Sequence, residues 1–272
     1  MTATGEAFVT DLHSHLVPGV DDGARSLEEA LEAVERMVSA GIGRIVTTPH
    51  VNASLTHDSG RLGAWLDEVD DSWQELTEHV RRRFPDLELM RGHEVMLDVP
   101  DPQLSDARLR LAGTSFVLVE WPRLQIPPGT VQVIERISQA GYHPVLAHPE
   151  RYSGIRRNLE LAGAWRNAGA YLQVNHGAFV GRYGPEARAA ATELVARGWA
   201  DMLSSDFHAR AQLKIHLDDS REFFAEQGGL EQFELLTVNN PGSVIEDEGP
   251  LPVPPLRMRK GFWNRLSRLF KG

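Results

Sequence analysis

Short apolar runs alternate with amphipathic stretches along most of the chain. The runs are 7–15 (AFVTDLHSH), 44–50 (RIVTTPH), 87–94 (LELMRGHE), 115–122 (SFVLVEWP), 143–150 (HPVLAHPE), 170–176 (AYLQVNH) and 200–208 (ADMLSSDFH). Their lengths and apolar content predict strands. After Ser26, which opens an S-L-E-E capping box with Glu29, Leu27, Ala30, Leu31, Val34, Met37 and Val38 recur at helical spacing until Gly41. Further helices are predicted near 62–84, 130–140, 157–168, 185–197, 217–227 and 230–236. Seven strands in a repeated β-then-α order imply a parallel sheet with right-handed crossovers. The connection 95–114 has no clear periodicity and is left unassigned.

The polar residues add a positional signal. The first strand ends in Asp11-x-His13-x-His15, followed by Asp21-Asp22. The next ones end in His50, Glu94, Glu120, His148, Asn175-His176 and Asp206-x-His208. In a parallel α/β barrel those strand ends converge on one face, where active sites lie. A single histidine or glutamate at such a place is ordinarily structural. Seven strands that all end this way are not explained so. Burying carboxylates and imidazoles together is costly unless a cation sits among them, and few Lys or Arg stand at these positions. Metal ions are the expected cations. His-x-His on a strand sets both imidazoles on one face. Mixed imidazole and carboxylate ligands suit Mn²⁺, Fe²⁺ or Zn²⁺. His13, His15, Asp22, His50, Glu94, Glu120, His148, Asp206 and His208 are too many for one ion, and suffice for two or three with a bridging carboxylate. Paired metals favour phosphate-ester hydrolysis.

Composition narrows the chemistry. The 272 residues include no cysteine, which excludes disulfides, zinc–thiolate sites, iron–sulfur clusters and a cysteine nucleophile. The formal net charge is −10. Residues 257–272 hold six cations and no acid, so the other 256 residues carry −16, and nucleic acid is not the expected partner. Residues 241–256 contain five prolines and two glycines and read as a linker leaving the body. The expected organisation is a catalytic domain over 1–245, a Pro-rich linker over 246–256 and a basic tail over 257–272. In that tail Phe262, Trp263, Leu266, Leu269 and Phe270 recur at helical spacing among the cations. Such a helix suits an anionic membrane surface or an acidic protein face. No signal peptide or membrane-spanning run is seen, so a cytoplasmic location is expected, possible at the inner membrane face through the tail.

The segments DLHSHLVPGVDDG (11–23), TTPH (47–50), GHE (92–94), LAHPERY (146–152) and SSDFH (204–208) resemble the polymerase and histidinol phosphatase (PHP) superfamily. The DDG and HPERY segments resemble one branch more closely: the manganese-dependent protein-tyrosine phosphatases of bacterial capsule and exopolysaccharide operons. The resemblance covers roughly residues 8–245. It implies a distorted (β/α)7 TIM-like barrel and up to three Mn²⁺ ions. His13, His15, Glu94 and Asp206 would hold the first; Glu94, Glu120 and His148 the second; Asp22, His50 and His208 the third. It also implies hydrolysis of phosphotyrosine by metal-activated hydroxide, with Arg151 on the phosphoryl oxygens, a role suited to a planar, permanently charged fork. The implied substrate is a membrane-associated tyrosine kinase of polysaccharide export. One departure stands out: the family's second arginine falls at Leu213, and Arg210 or Lys214 is left to replace it. His176 is read as a packed loop residue rather than a general acid or substrate contact. Two other functions are weighed: a small-molecule phosphomonoesterase such as a histidinol phosphatase, and an inactive membrane-docked scaffold. Amidohydrolase chemistry is disfavoured by the two internal glutamates.

Overall fold

The structure, a computed structural model, describes residues 8–260. The fold is mixed α/β with parallel strands throughout. Strands β1 (Val9–Asp11), β2 (Ile42–Thr47) and β4 (Glu88–Arg91) form one sheet. Strands β3 (His50–Asn52), β5 (Glu94–Met96), β6 (Phe116–Glu120), β7 (His143–Ala147), β8 (Tyr171–Asn175) and β9 (Met202–Ser204) form the other.

Two of the seven predicted runs are therefore broken in the middle. Residues 44–50 divide into β2 and β3 at Pro49, which has no N–H for the ladder; its carbonyl still accepts from Glu94 N at 3.1 Å. Residues 87–94 divide into β4 and β5 at Gly92-His93. Gly92 N donates to Thr47 O, and a Cβ there would press on the backbone of Arg110 and Leu111. Joined across these breaks, the strands make a ring of seven. A parallel bridge between Ser14 and Phe207 closes it, with His15 N donating to Phe207 O and Asp206 N to His13 O, both at 2.9 Å. The distorted seven-stranded barrel is what the sequence predicted.

Helices α1 (Leu27–Ser39), α2 (Ser59–Arg83), α3 (Thr130–Gln139), α4 (Glu160–Asn167) and α5 (Pro185–Ala196) are the crossovers. The unassigned connection 95–114 carries no α-helix, only short 3₁₀ turns at Ala107–Leu109 and Leu111–Gly113. Ser26 caps α1 by accepting from Glu29 N, but the Glu29 carboxylate reaches one residue further back, to Arg25 N. Strand β6 is buried at all five positions, as expected of a strand covered on both faces.

Helices α6 (Leu217–Gln227), α7 (Leu230–Glu234) and α8 (Asn240–Ile245) follow β9, with a π-helical turn at Leu235–Asn239 between the last two. The segment expected to leave the body as a linker lies on it instead. Asn240 pairs with both backbone groups of Leu251, Leu256 N donates to Val195 O, and Val253 and Leu256 are buried. The prolines remove donors, but the apolar residues between them still gain by burial. Of the predicted tail helix, residues 261–272 lie outside the described residues.

Candidate metal centre

The nine predicted ligands come together at the C-terminal ends of the ring. Their hub is Glu94, the first residue of β5. Its Oε2 lies 3.1 Å from His13 Nε2, 3.4 Å from His15 Nε2 and 3.2 Å from His50 Nδ1. Its Oε1 lies 3.1 Å from His148 Nε2. Glu120, ending β6, places Oε1 3.4 Å from His50 Nδ1 and Oε2 3.9 Å from His148 Nε2. Asp206 Oδ1 stands 3.6 Å from His13, 3.7 Å from His15 and 3.3 Å from His208. Asp22 Oδ1 is 3.4 Å from Nε2 of both His50 and His208.

These atoms form overlapping groups that could each hold an ion: His15, Asp22, His50 and His208; His13, His15 and Glu94; His50, Glu94 and Glu120. His15 and His50 thus each belong to two groups, whereas the resemblance assigned each to one.

The local backbone explains the convergence. His13 and His15 extend β1 and keep its two-residue alternation, so both rings face inward. Asp11 locks that extension to β9, accepting His13 N at 3.0 Å and Ser205 N at 2.8 Å. Burial raises its pKa to about 6. His148 and Asp206 both take left-handed backbone conformations directly after their strands (φ 35° and 51°), which costs each about 1–3 kcal/mol. Gly23 of the DDG segment packs on the His15 carbonyl, where a Cβ would overlap it.

The outer nitrogens of the histidines decide what the inner ones can be. His13 Nδ1 lies 2.8 Å from Gln173 Oε1, and the Gln173 amide donates to Asn175 Oδ1 at 2.9 Å. His15 Nδ1 lies 2.7 Å from Asp21 Oδ2. His208 Nδ1 is 3.1 Å from Asp206 O. Each of these Nδ1 atoms faces an acceptor and so carries the hydrogen. Each Nε2 then offers a lone pair to the cluster when the ring is neutral. Lone pairs on His13 and His15 facing Glu94 and Asp206 repel unless a cation stands between them.

The titration behaviour says the same. Burial opposes a charge on His13, yet Glu94 and Asp206 push its imidazole up to about 9. His15 rises well above its usual value against the same burial penalty, through Asp21 and Glu94. Burial opposes ionisation of Glu94, but His13, His148 and His15 hold it well below the usual carboxylate range. Without metal the cluster must hold protons, and a divalent ion competes for the same lone pairs. The donor set, the acceptor behind each ring and this demand for positive charge fit a divalent-metal centre.

The centre opens on one side. Asp22 is the most exposed candidate ligand at 69%, followed by His50 at 34%, while the His13 and His15 side chains are fully buried. Arg151 stands beside Asp206 with its side chain partly exposed. Its Nη1 pairs with Asp206 Oδ2, and its guanidinium lies 4.6 Å over the Tyr183 ring. The neighbouring Glu150 carboxylate is buried, accepts from Asn175 N at 3.0 Å and is pushed up to about 8 by burial.

Arg210 is placed differently from the expectation that it contacts substrate. It donates to Asp22 O at 2.7 Å and to Glu29 Oε2 at 3.2 Å. It braces the loop carrying Asp22, and Glu29 holds its charge. Lys214 is exposed and Leu213 packs against the core. His176 is buried behind the site, with Nδ1 2.8 Å from Ser220 Oγ, as a packed residue should be.

Sequence reasoning passed over Gln173 and Tyr183, and it named Asn175 and Asp21 at strand ends without giving either a role behind the candidate ligands. Asn175 Nδ2 donates to both Asp206 Oδ2 (2.9 Å) and Tyr183 Oη (3.1 Å). The available signal was Gln173-x-Asn175, two polar residues at strand spacing inside an apolar run.

Against this geometry the comparisons are direct. A family model described as "Capsular polysaccharide synthesis, CpsB/CapC" matches residues 9–246. The chain belongs to the CpsB/CapC family. Among curated relatives, the CpsB/CapC chain is 27% identical to the tyrosine-protein phosphatase YwqE of Bacillus subtilis over 231 residues, covering 84% of this chain and 89% of that one. It is 25% identical to the tyrosine-protein phosphatase CpsB of Streptococcus pneumoniae over 252 residues, covering 88% and 98%. A solved structure from work on YwqE of B. subtilis and CpsB of S. pneumoniae, described as unique metal-dependent tyrosine phosphatases, superposes with a TM-score of 0.77. That match has 24% identity and covers 92% of this chain and 100% of the other. The architecture extends to an amidohydrolase from Mycoplasma synoviae at a TM-score of 0.51 and 14% identity, covering 98% and 95%.

Proposed function

We propose that this CpsB/CapC chain is a metal-dependent protein-tyrosine phosphatase. The observation that carries the reading is the convergence of the His13, His15, Glu94 and Asp206 side-chain atoms with a partly exposed arginine, Arg151, paired to Asp206. The relatives named as tyrosine phosphatases support it. Bound divalent ions, Mn²⁺ in the first instance, would supply Lewis acidity and lower the pKa of water for attack on phosphorus. His13, His15, Asp22, His50, Glu94, Glu120, His148, Asp206 and His208 would hold two or three of them, with Glu94 shared.

The chain's own residues do the rest. Arg151, anchored by Asp206 and stacked on Tyr183, presents its remaining N–H groups to the phosphoryl oxygens. Gln173 and Asp21 keep the hydrogens of His13 and His15 turned outward. Asn175 fixes the Asp206 carboxylate.

The finer reading is a substrate on a membrane-associated tyrosine kinase of capsule or exopolysaccharide synthesis, approached by an enzyme whose basic segment 257–272 rests on an anionic membrane. The body and this tail would then act as two functional units. Sedimentation with anionic liposomes tests the tail: chains ending at residue 256 should lose binding.

Substrate class is tested with metal-stripped protein reloaded with Mn²⁺, comparing a phosphotyrosine peptide with histidinol phosphate. A higher kcat/KM on the peptide is expected. Preference for histidinol phosphate would replace the protein-phosphatase reading with a small-molecule one.

A further inference from the structure

A cavity of about 580 Å³ adjoins the open side of the metal centre. It shares His50 and Asp21 with the centre, and its other walls include Asn52, Ser54, Leu55, Arg61 and Trp65. Its volume lies within the roughly 300–1,000 Å³ of sites that enclose small ligands. It exceeds what one aromatic side chain needs.

The walls are chemically distinct along its length. At the inner end stands His50, a member of the ligand cluster. The cavity wall is mixed: Leu55 and Trp65 give apolar surface beside the polar Asn52 and Ser54. Leu55 and Trp65 are partly buried there and pack against the hydrophobic core. The Trp65 ring is backed by the buried His93 ring at a centroid distance of 5.1 Å, so its position is fixed from behind. The outer end is the first turn of α2. Asp58 commits Oδ1 to the Arg61 N–H at 3.0 Å as the helix cap. Arg61 is exposed there, beside the positive end of a 25-residue helix.

We propose that this cavity binds the aryl ring of the phosphotyrosine and one flanking residue of the substrate peptide, with Trp65 and Leu55 against the ring and Arg61 pairing an acidic neighbour. The proposal rests on the phosphotyrosine-phosphatase reading and adds what selects the peptide. An aryl ester gains from an apolar and aromatic wall that a small alkyl phosphate cannot use. A phosphoryl group placed beside His50, at the exposed edge of the ligand cluster, leaves the Leu55 and Trp65 side chains of this cavity to face the ring. A carboxylate at the outer end meets the Arg61 guanidinium, while Asp58 already occupies the helix terminus.

The test uses full-length Mn²⁺-loaded enzyme and three substrates: a phosphotyrosine peptide with a flanking glutamate, the same peptide with lysine there, and glycerol phosphate. Wild-type turnover of the peptides is measured first. Its absence, with glycerol phosphate hydrolysed, overturns the phosphotyrosine reading and this proposal together.

With peptide turnover present, Trp65→Ala should raise KM for both peptides about fivefold, the size of an aromatic contact, while moving kcat by less. Trp65→Phe should recover most of that loss, which guards against a folding effect. Arg61→Glu, on the exposed surface, should reverse the preference between the glutamate and lysine peptides. Equal losses on glycerol phosphate and peptide, or an unchanged peptide preference in Arg61→Glu, would overturn the groove while leaving the phosphatase reading intact.

Discussion

Nδ1 of His13 lies 2.8 Å from Oε1 of Gln173. Gln173 is an inward residue of β8, 160 positions away in sequence, and its own amide is spent on Asn175. Its carbonyl is thus left to accept, and His13 must carry its hydrogen on the outer nitrogen. The contact sets which nitrogen of a buried imidazole faces Glu94.

Removing that acceptor should weaken metal binding without unfolding the barrel. Gln173→Leu is expected to lower Mn²⁺ affinity about 10–100-fold, the usual effect of losing a partner behind a metal-binding histidine. Titration of the stripped protein with Mn²⁺, alongside circular dichroism, measures it. An unchanged affinity would show that something other than Gln173 orients His13.

The two arginines should fail in different ways. Arg151→Ala is expected to cut kcat by about 10²–10³, typical of losing a group that stabilises transition-state charge, with metal content intact. Arg210→Ala removes the brace on the Asp22 carbonyl, so its primary effect should be lower metal occupancy, partly restored at high Mn²⁺. Metal analysis beside steady-state kinetics separates the two. If Arg151→Ala lost metal, its assignment to substrate would be wrong.

Acid should destabilise the protein through a residue outside the centre. Burial, and then the nearby His216, lower the His176 pKa to about 3 against 6.5 for a free imidazole. The folded state therefore holds fewer protons than the unfolded chain between those values. Its contribution is complete above pH 6.5 and is lost as pH falls toward 3, at up to about 1.4 kcal/mol per pH unit. His13, held up to about 9, acts with the opposite sign in metal-free protein. The informative quantity is thus a difference: His176→Gln should lose less stability than wild type between pH 6.5 and 5 in urea titrations of chelated protein. Parallel pH slopes would contradict the assignment.

The convergence of the candidate ligands was legible because a strand's two-residue period and a barrel's common rim are local rules. They place His13 with His15 and bring distant strand ends such as Glu94 and Asp206 together. Pro49 was also visible, but a sequence does not say whether a proline ends a run or restarts it one residue later as β3. The roles behind the ligands were less legible. Gln173 and Asp21 matter for which atom they face, and that depends on the ring closing between Ser14 and Phe207. Arg210 was judged by its nearness to Leu213, whereas its guanidinium is held by Glu29, 181 residues away. The prolines of 246–256 suggested a free linker because pairing of Asn240 with Leu251 cannot be read from local composition.

Glu94 is the candidate ligand that His13, His15, His50 and His148 all face, and its removal tests the central claim most directly. Phosphotyrosine-peptide hydrolysis is measured for wild type and Glu94→Gln, each stripped by chelation and then reloaded with Mn²⁺. Stripped wild type should be inactive and regain turnover on reloading, whereas Glu94→Gln should stay inactive with its circular dichroism preserved. Turnover by the stripped wild type, or recovery in Glu94→Gln, would contradict a phosphatase built on this metal centre.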